Sequence, residues 1–190
     1  MNTYSIEKSE AGMQLRRINH LLPLLLCLIA SVSVSGLESD KDQDILYSAL
    51  GRSTSRIEGN VRTVTLEEEV KVTQGTLEIS GDNATFESEA QTSTIRQIQV
   101  TGSPAQYRQQ LNLDGDYIEG ESESIIYSVE GEPVVEFIGS AVLRGTNDVL
   151  SCAAIKYYTD SRFTETTGPC EGVSGRASAD DIPVDSTQAN

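Results

Sequence analysis

The stretch VKVTQGTLEISGDNATF, from Val70 to Phe86, contains two alternating apolar segments hinged on a glycine. Side chains along a β-strand point to opposite faces in turn, so apolar residues of equal parity share a face. Val70 and Val72 share one such face, and beyond a Gln74-Gly75 turn Leu77 and Ile79 share another. Gly81-Asp82 then interrupts the strand before Ala84 and Phe86 resume it. This spacing predicts a hairpin of two half-buried strands, the second of them bent.

The skeleton returns at Val142-Leu143-Arg144-Gly145-Thr146 and Leu150 to Tyr157, where an apolar residue again precedes a small one and an aromatic closes the unit. A third, partial copy is Ile118-Glu119-Gly120 followed by Ile126 and Tyr127. A small residue inside a strand marks a bulge or a bend. We therefore read the small residue of each copy, Gly120 among them, as a kink that lets a long strand turn a corner. The expected architecture is all-β, built from long, kinked antiparallel strands. No stretch reads as a long amphipathic helix, although Asp42 to Leu50 fits either a helical turn or a first strand.

Residues 1–36 have the layout of an export signal: Arg16 and Arg17, an apolar run from Leu21 to Val34 broken by Pro23, then small residues through Ser35-Gly36. The run is shorter than the ~20 apolar residues that a membrane span needs. Cys27 follows Leu26 rather than a small residue, which argues against a lipoprotein cleavage site. Removing residues 1–36 leaves 154 residues, enough for one domain, with 11 cationic and 27 anionic side chains and a formal charge of −16. Such a chain lacks the basic footprint that phosphate binding requires, so nucleic acid is excluded as a partner. Residues 174–190 have the composition of a disordered tail.

His20, the one histidine, lies in the export segment. The exported chain thus has no imidazole for serine or cysteine hydrolysis, nor for a histidine-containing zinc site. Cys152 and Cys170 remain, and an oxidising compartment favours their pairing, with two buried free thiols as the alternative. A bridge between them would contribute on the order of 3 kcal/mol through the unfolded state. Carboxylates are abundant, but glycoside hydrolysis needs a cleft with aromatic sugar platforms, and the chain has no Trp. Glu67-Glu68-Glu69 reads as a solvated turn or edge, and Asn112-Leu113-Asp114-Gly115-Asp116 as a hairpin turn rather than a calcium loop. No glycine loop with a lysine is present to cradle a phosphate, so neither a cofactor, a metal nor an enzymatic activity is expected.

The run from Val70 to Ile79 followed by Asp82, then Gly102-Ser103-Pro104-Ala105-Gln106-Tyr107, then Ile118-Glu119-Gly120 leading to Tyr127, resembles the OstA-like β-jellyroll family of periplasmic lipopolysaccharide-transport proteins. The resemblance extends from Ile45 to Tyr158. It departs from the family where Glu68-Glu69 replaces the usual Gly-Asn, and where Gly81-Asp82 replaces the frequent Ala-Asp. The resemblance implies a single β-jellyroll over residues 37–173, a slightly open V-shaped sandwich whose interior receives the acyl chains of lipid A. It implies a non-enzymatic periplasmic carrier whose copies stack head to tail between inner-membrane and outer-membrane transport components. Carried over position by position, Ile45 and Tyr47 line the groove from the first strand, Tyr107 follows Pro-Ala, and Tyr127 with Val129 lies on a central strand. Parity adds Val72, Ile79, Phe86, Phe137 and Tyr157. The rival expectation is a secreted structural or polysaccharide-binding β-sandwich whose apolar face is simply a closed core.

Overall fold

The computed structural model describes residues 40, 42–112 and 115–175. The expected export signal over residues 1–36, and all but the first two residues of the tail expected from Ser174, lie outside the described residues. Among those described, nine antiparallel strands form a single sheet: β1 (Leu46–Ser48), β2 (Ser53–Glu58), β3 (Val61–Gln74), β4 (Leu77–Glu89), β5 (Ile95–Gln110), β6 (Tyr117–Ser128), β7 (Val134–Arg144), β8 (Asp148–Tyr158) and β9 (Thr164–Ser174). Their order is β1-β3-β4-β5-β6-β7-β8-β9, with β2 pairing the other half of the same side of β3. Each long strand thus pairs with its sequence neighbour, which short hairpin turns allow. The segment Asp42 to Leu50 contributes the short strand β1.

Strands β3 to β9 run 11 to 16 residues, two to three times the usual length. They reach that length because each is two strands joined at a corner. The registers shift between Glu67 and Val70, Ser80 and Asn83, Thr101 and Ala105, Glu121 and Ser124, Ile138 and Ala141, and Cys152 and Ala154. These shifts fall on paired positions, so they make one continuous row across the sheet. A bulge bends its strand and raises local twist. A full row of them folds the sheet over on itself into a β-jellyroll with two facing arms. The first arm carries Leu66, Phe86, Ile98, Ile125, Phe137 and Ile155, and the second carries Val72, Ile79, Tyr107, Ile118, Leu143 and Cys152, all buried.

The corner lies only partly where the sequence repeat puts it. Gly81 and Ala153 are at register shifts, as expected. Gly120 is not a kink: it pairs regularly with Tyr107 and Leu143, and a Cβ there would overlap the Phe137 ring reaching across from the first arm. Gly145 belongs to the β7–β8 turn. Further corners are Gly102-Ser103-Pro104, Ser122-Glu123, Gly139-Ser140 and Gly168-Pro169, with cis bonds before both prolines. The turn of the first hairpin is Gly75-Thr76 rather than Gln74-Gly75, because Gln74 still pairs with Leu77. In β6 the core is reached by Ile125 and Tyr127, with Ile126 on the outer face.

Glu68 and Glu69 sit at the β3 corner with φ of 69° and 49°. Gly139 and Ser140 take the matching pair of values, 83° and 48°, at the β7 corner. The left-handed region is free to glycine and tolerated by asparagine, but costs other residues about 1 kcal/mol. Glu68-Glu69 therefore holds its bulge by what surrounds it: the carbonyls of Glu67 and Glu68 accept from Gly51 and Leu50, each at 2.8 Å, and Arg52 pairs with Glu67 at 2.9 Å. The double substitution Glu68→Gly with Glu69→Asn should stabilise the fold by about 1 kcal/mol, read as a higher urea midpoint. Gly120→Val should lower that midpoint by the equivalent of about 2 kcal/mol, because the Phe137 ring has nowhere to go.

Candidate apolar trough

The space between the arms is apolar because inward positions alternate with polar outward ones along every long strand. Seven of the expected lining residues meet there. Val72, Ile79 and Tyr107 project from the second arm, and Phe86, Tyr127, Phe137 and Tyr157 from the first. Tyr107 meets Phe137 edge to face with ring centroids 5.5 Å apart, closing the centre between the arms. All seven are buried, so they form the packed middle of the sandwich.

The remaining three lie at a rim. Tyr47 faces inward by its register opposite Val72, yet is 54% exposed, and its ring lies 4.9 Å from that of Phe86 on the other arm. Ile45 and Val129 are partly buried against the core and line a cavity of about 570 Å³ together with Gln43, Gln74 and Ile95. The cavity lies between the tips of the two arms, away from the corner. The sheet edges are open as well. On β2, Ile57 shares a face with Arg62 and Ser88 but is 55% exposed, and on β9 the residues opposite buried Ile155 and Cys152 are exposed. Cys152 and Cys170 are directly opposed in β8 and β9 and disulfide-bonded, with Cα atoms 4.2 Å apart. The bond fastens the exposed edge strand β9 to the body of the sheet.

Polar side chains bridge the arms where their tips approach. Tyr127 on the first arm donates its hydroxyl to Gln74 Oε1 on the second at 3.1 Å, and Gln74 Nε2 donates to the Gln43 carbonyl at 3.2 Å. Tyr107 donates to Gln109 Oε1 at 2.6 Å, and Gln109 Nε2 donates to the Asp40 carboxylate at 3.2 Å. Arg162 at the β8–β9 turn reaches the Leu111 carbonyl at the β5–β6 turn, 2.9 Å away. Gln74, Gln109 and Asp40 are buried and were not among the expected site residues. Parity alone could have found two of them, since Gln74 continues Val70 and Val72, and Gln109 continues Ala105 and Tyr107. Asp40 carries no such signal.

Burial shapes the ionisation of these groups. Removal from water pushes the Tyr127 hydroxyl up to about 12, helped by the nearby charges of Asp160 and Asp40. Tyr107 is raised well above the ordinary tyrosine value for the same first reason, and Tyr157 less so. The outer faces are polar, and cations there stand against carboxylates: Lys71 with Glu78 at 2.7 Å, Arg108 with Glu119 at 3.2 Å, Arg144 with Glu121 at 3.1 Å and Lys156 with Glu136 at 3.1 Å. Exposed pairs of this kind contribute little to stability. They do leave the surface without a strongly positive patch.

A sheet folded at a row of bulges, with its two edges left unjoined and an apolar interior, defines an open β-jellyroll. Residues 53–163 match the family model described as "LptA/(LptD N-terminal domain) LPS transport protein", and the chain belongs to that family. The crystal structure of LptH from Pseudomonas aeruginosa, described as the LptA-homologous periplasmic component of the lipopolysaccharide transport device, has the same fold. It superposes with a TM-score of 0.59 at 22% identity, covering 68% of this chain and 86% of LptH. No curated protein sequence matches the chain.

The raised Tyr127 value carries a sign. A hydroxyl neutral in the folded state contributes stability that is complete below pH 10 and is lost as pH rises through about 12. Tyr127→Phe, which leaves Gln74 Oε1 without this donor, should cost about 1 kcal/mol at pH 7. That difference from wild type should shrink between pH 10 and 12 in urea titrations followed by circular dichroism. A constant difference across the range would place the effect elsewhere than in the hydroxyl.

Proposed function

We propose that this protein is a non-enzymatic periplasmic carrier of lipopolysaccharide. It takes the acyl chains of lipid A between the two arms of its folded sheet, and it links inner-membrane and outer-membrane transport components. The observation that carries this reading is an apolar interior bounded by a sheet that bends into a sandwich without closing its edges. Family membership supports it. Each buried methylene is worth ~0.8 kcal/mol, so a lipid with several tails gains far more than it needs to leave water. The exported chain's charge of −16 and its paired outer cations disfavour an anionic head group. The head group therefore stays outside, solvated or bridged by divalent cations, and the acyl chains supply the affinity.

Ile45, Tyr47 and Val129 are where tails first enter, since they already line the rim. The buried set of Val72, Ile79, Phe86, Tyr107, Tyr127, Phe137 and Tyr157 receives them once the arms part. The edges serve assembly. The β1–β2 edge presents Leu46, Tyr47, Leu50 and Ile57, all more than half exposed, and β9 presents Val173 at the opposite end. An unpaired edge is a template for another strand, so β9 of one copy adds to the β1–β2 edge of the next.

The packed centre favours the second reading, a structural or polysaccharide-binding sandwich with a closed core. Photo-crosslinking separates the two. A photoreactive residue at position 47 or 129 should be labelled by lipopolysaccharide, and one at 107 or 127 should be labelled more slowly. Light scattering should show mass rising with concentration. Absence of an adduct at all four positions would leave only the closed-core reading.

A further inference from the structure

The buried carboxylate of Asp40 occupies a site made of donors from the main body of the fold. Its Oδ1 accepts from the Thr76 backbone N–H at 2.9 Å, and its Oδ2 accepts from Thr76 Oγ1 at 2.6 Å and from Gln109 Nε2 at 3.2 Å. Two further features show that the site is shaped for that group. Gly75, with φ of +59°, lacks a Cβ where one would strike the carboxyl of Asp40. Gln109 is turned so that its N–H₂ faces Asp40, because its Oε1 is held by the hydroxyl of buried Tyr107 at 2.6 Å. Gly75, Thr76 and Gln109 lie on the second arm, whereas Asp40 precedes β1. Gln43, Asp44 and Ile45 wall the 570 Å³ cavity at the tips of the arms, beside Ile95 and Val129 of the first arm.

We infer that Asp40 and residues 42–44 act as an autoinhibitory strap, and that the Asp40 carboxylate fills an anion site which otherwise takes the phosphate or carboxylate of an anionic amphiphile whose tail enters between the arms. This rests on the reading of the interior as an acyl-chain trough. The site uses uncharged donors, which suits a surface without a strongly positive patch. Hydrogen bonds from neutral donors to a charged acceptor are stronger than those between neutral groups, so three of them can hold one anionic oxygen pair. The strap then has two effects. It covers the tip of the trough when no cargo is present, and it competes with the head-proximal anion of the cargo by mass action, so an anionic amphiphile displaces it where a neutral one of equal tail cannot. Bulk charge still keeps the remaining head group outside, because the site accommodates a single anionic group at the tip.

The test is calorimetric titration of purified wild-type protein and Asp40→Ala with two amphiphiles of the same tail, dodecyl phosphate and dodecyl maltoside, below their micelle concentrations. Asp40→Ala should bind dodecyl phosphate about tenfold more tightly than wild type, while dodecyl maltoside gains less than about threefold. Adding Thr76→Val to Asp40→Ala should remove most of the gain for the phosphate and leave the maltoside unchanged. Asp40→Asn, which keeps the shape and one acceptor oxygen, is the second variant if Asp40→Ala does not fold, with a gain of about threefold for the phosphate. Equal gains for both amphiphiles, or none for either, would overturn the anion site while leaving the trough itself standing. Failure of every variant and of wild type to bind either amphiphile would overturn the trough reading, and the strap with it.

Discussion

One row of broken register governs this molecule. Six adjacent strand pairs lose their alignment at the same level, and because each shift bends its strand, the sheet has no choice but to fold along that line. Had the shifts been scattered, the same strands would form a long twisted sheet with one apolar face against water. Aligned, they bring the two halves of that face together, and each fully buried Ile, Val or Phe then contributes about 1.5–3 kcal/mol. The price of the corner is visible in its chemistry: glycines or cis prolines at most crossings, and at β3 two glutamates held in the left-handed region.

Folding by bending differs from closure by pairing. A barrel joins its first and last strands and has no edge. Here β1 and β2 stay on one side and β9 on the other, so the interior is packed in the middle and accessible at its margins. The margins hold the residues with mixed character: Tyr47 over Phe86, Ile45 near Val129, and the Tyr127–Gln74 hydrogen bond that ties one arm to the other. A dry centre resists separation, while a few hydrogen bonds at the tips can be exchanged for others at little net cost. In the proposed carrier, that gradient from centre to rim would shield a flexible hydrocarbon and still let it be released.

The charge distribution fits the same requirement. The outer faces pair their cations with carboxylates across neighbouring strands, and an excess of anions remains. Such a surface repels anionic groups, so in the proposed carrier burial of apolar surface is the term that decides what is held. The disulfide between Cys152 and Cys170 acts at the one long strand that burial secures least, β9, whose side chains are almost all exposed.

Strand parity was legible in the sequence because alternation is a property of the backbone itself: Val70, Val72, Leu77, Ile79, Ala84 and Phe86 are all buried where a simple count by twos puts them. Gly81 announced its bend, and the absence of histidine beyond His20 narrowed the chemistry before any fold was known. What the sequence left open depended on neighbours distant along the chain. Gly120 looks like a kink in isolation, and only the Phe137 ring arriving from the other arm explains it. The corner at Glu68-Glu69 uses residues that no local preference would choose, since its geometry is imposed by strands on both sides. Asp40 lies 36 residues from Thr76 and 69 from Gln109, so its site existed only once the sheet had folded over. Local alternation thus settled which side chains face inward, and the alignment of bulges across strands settled what they face.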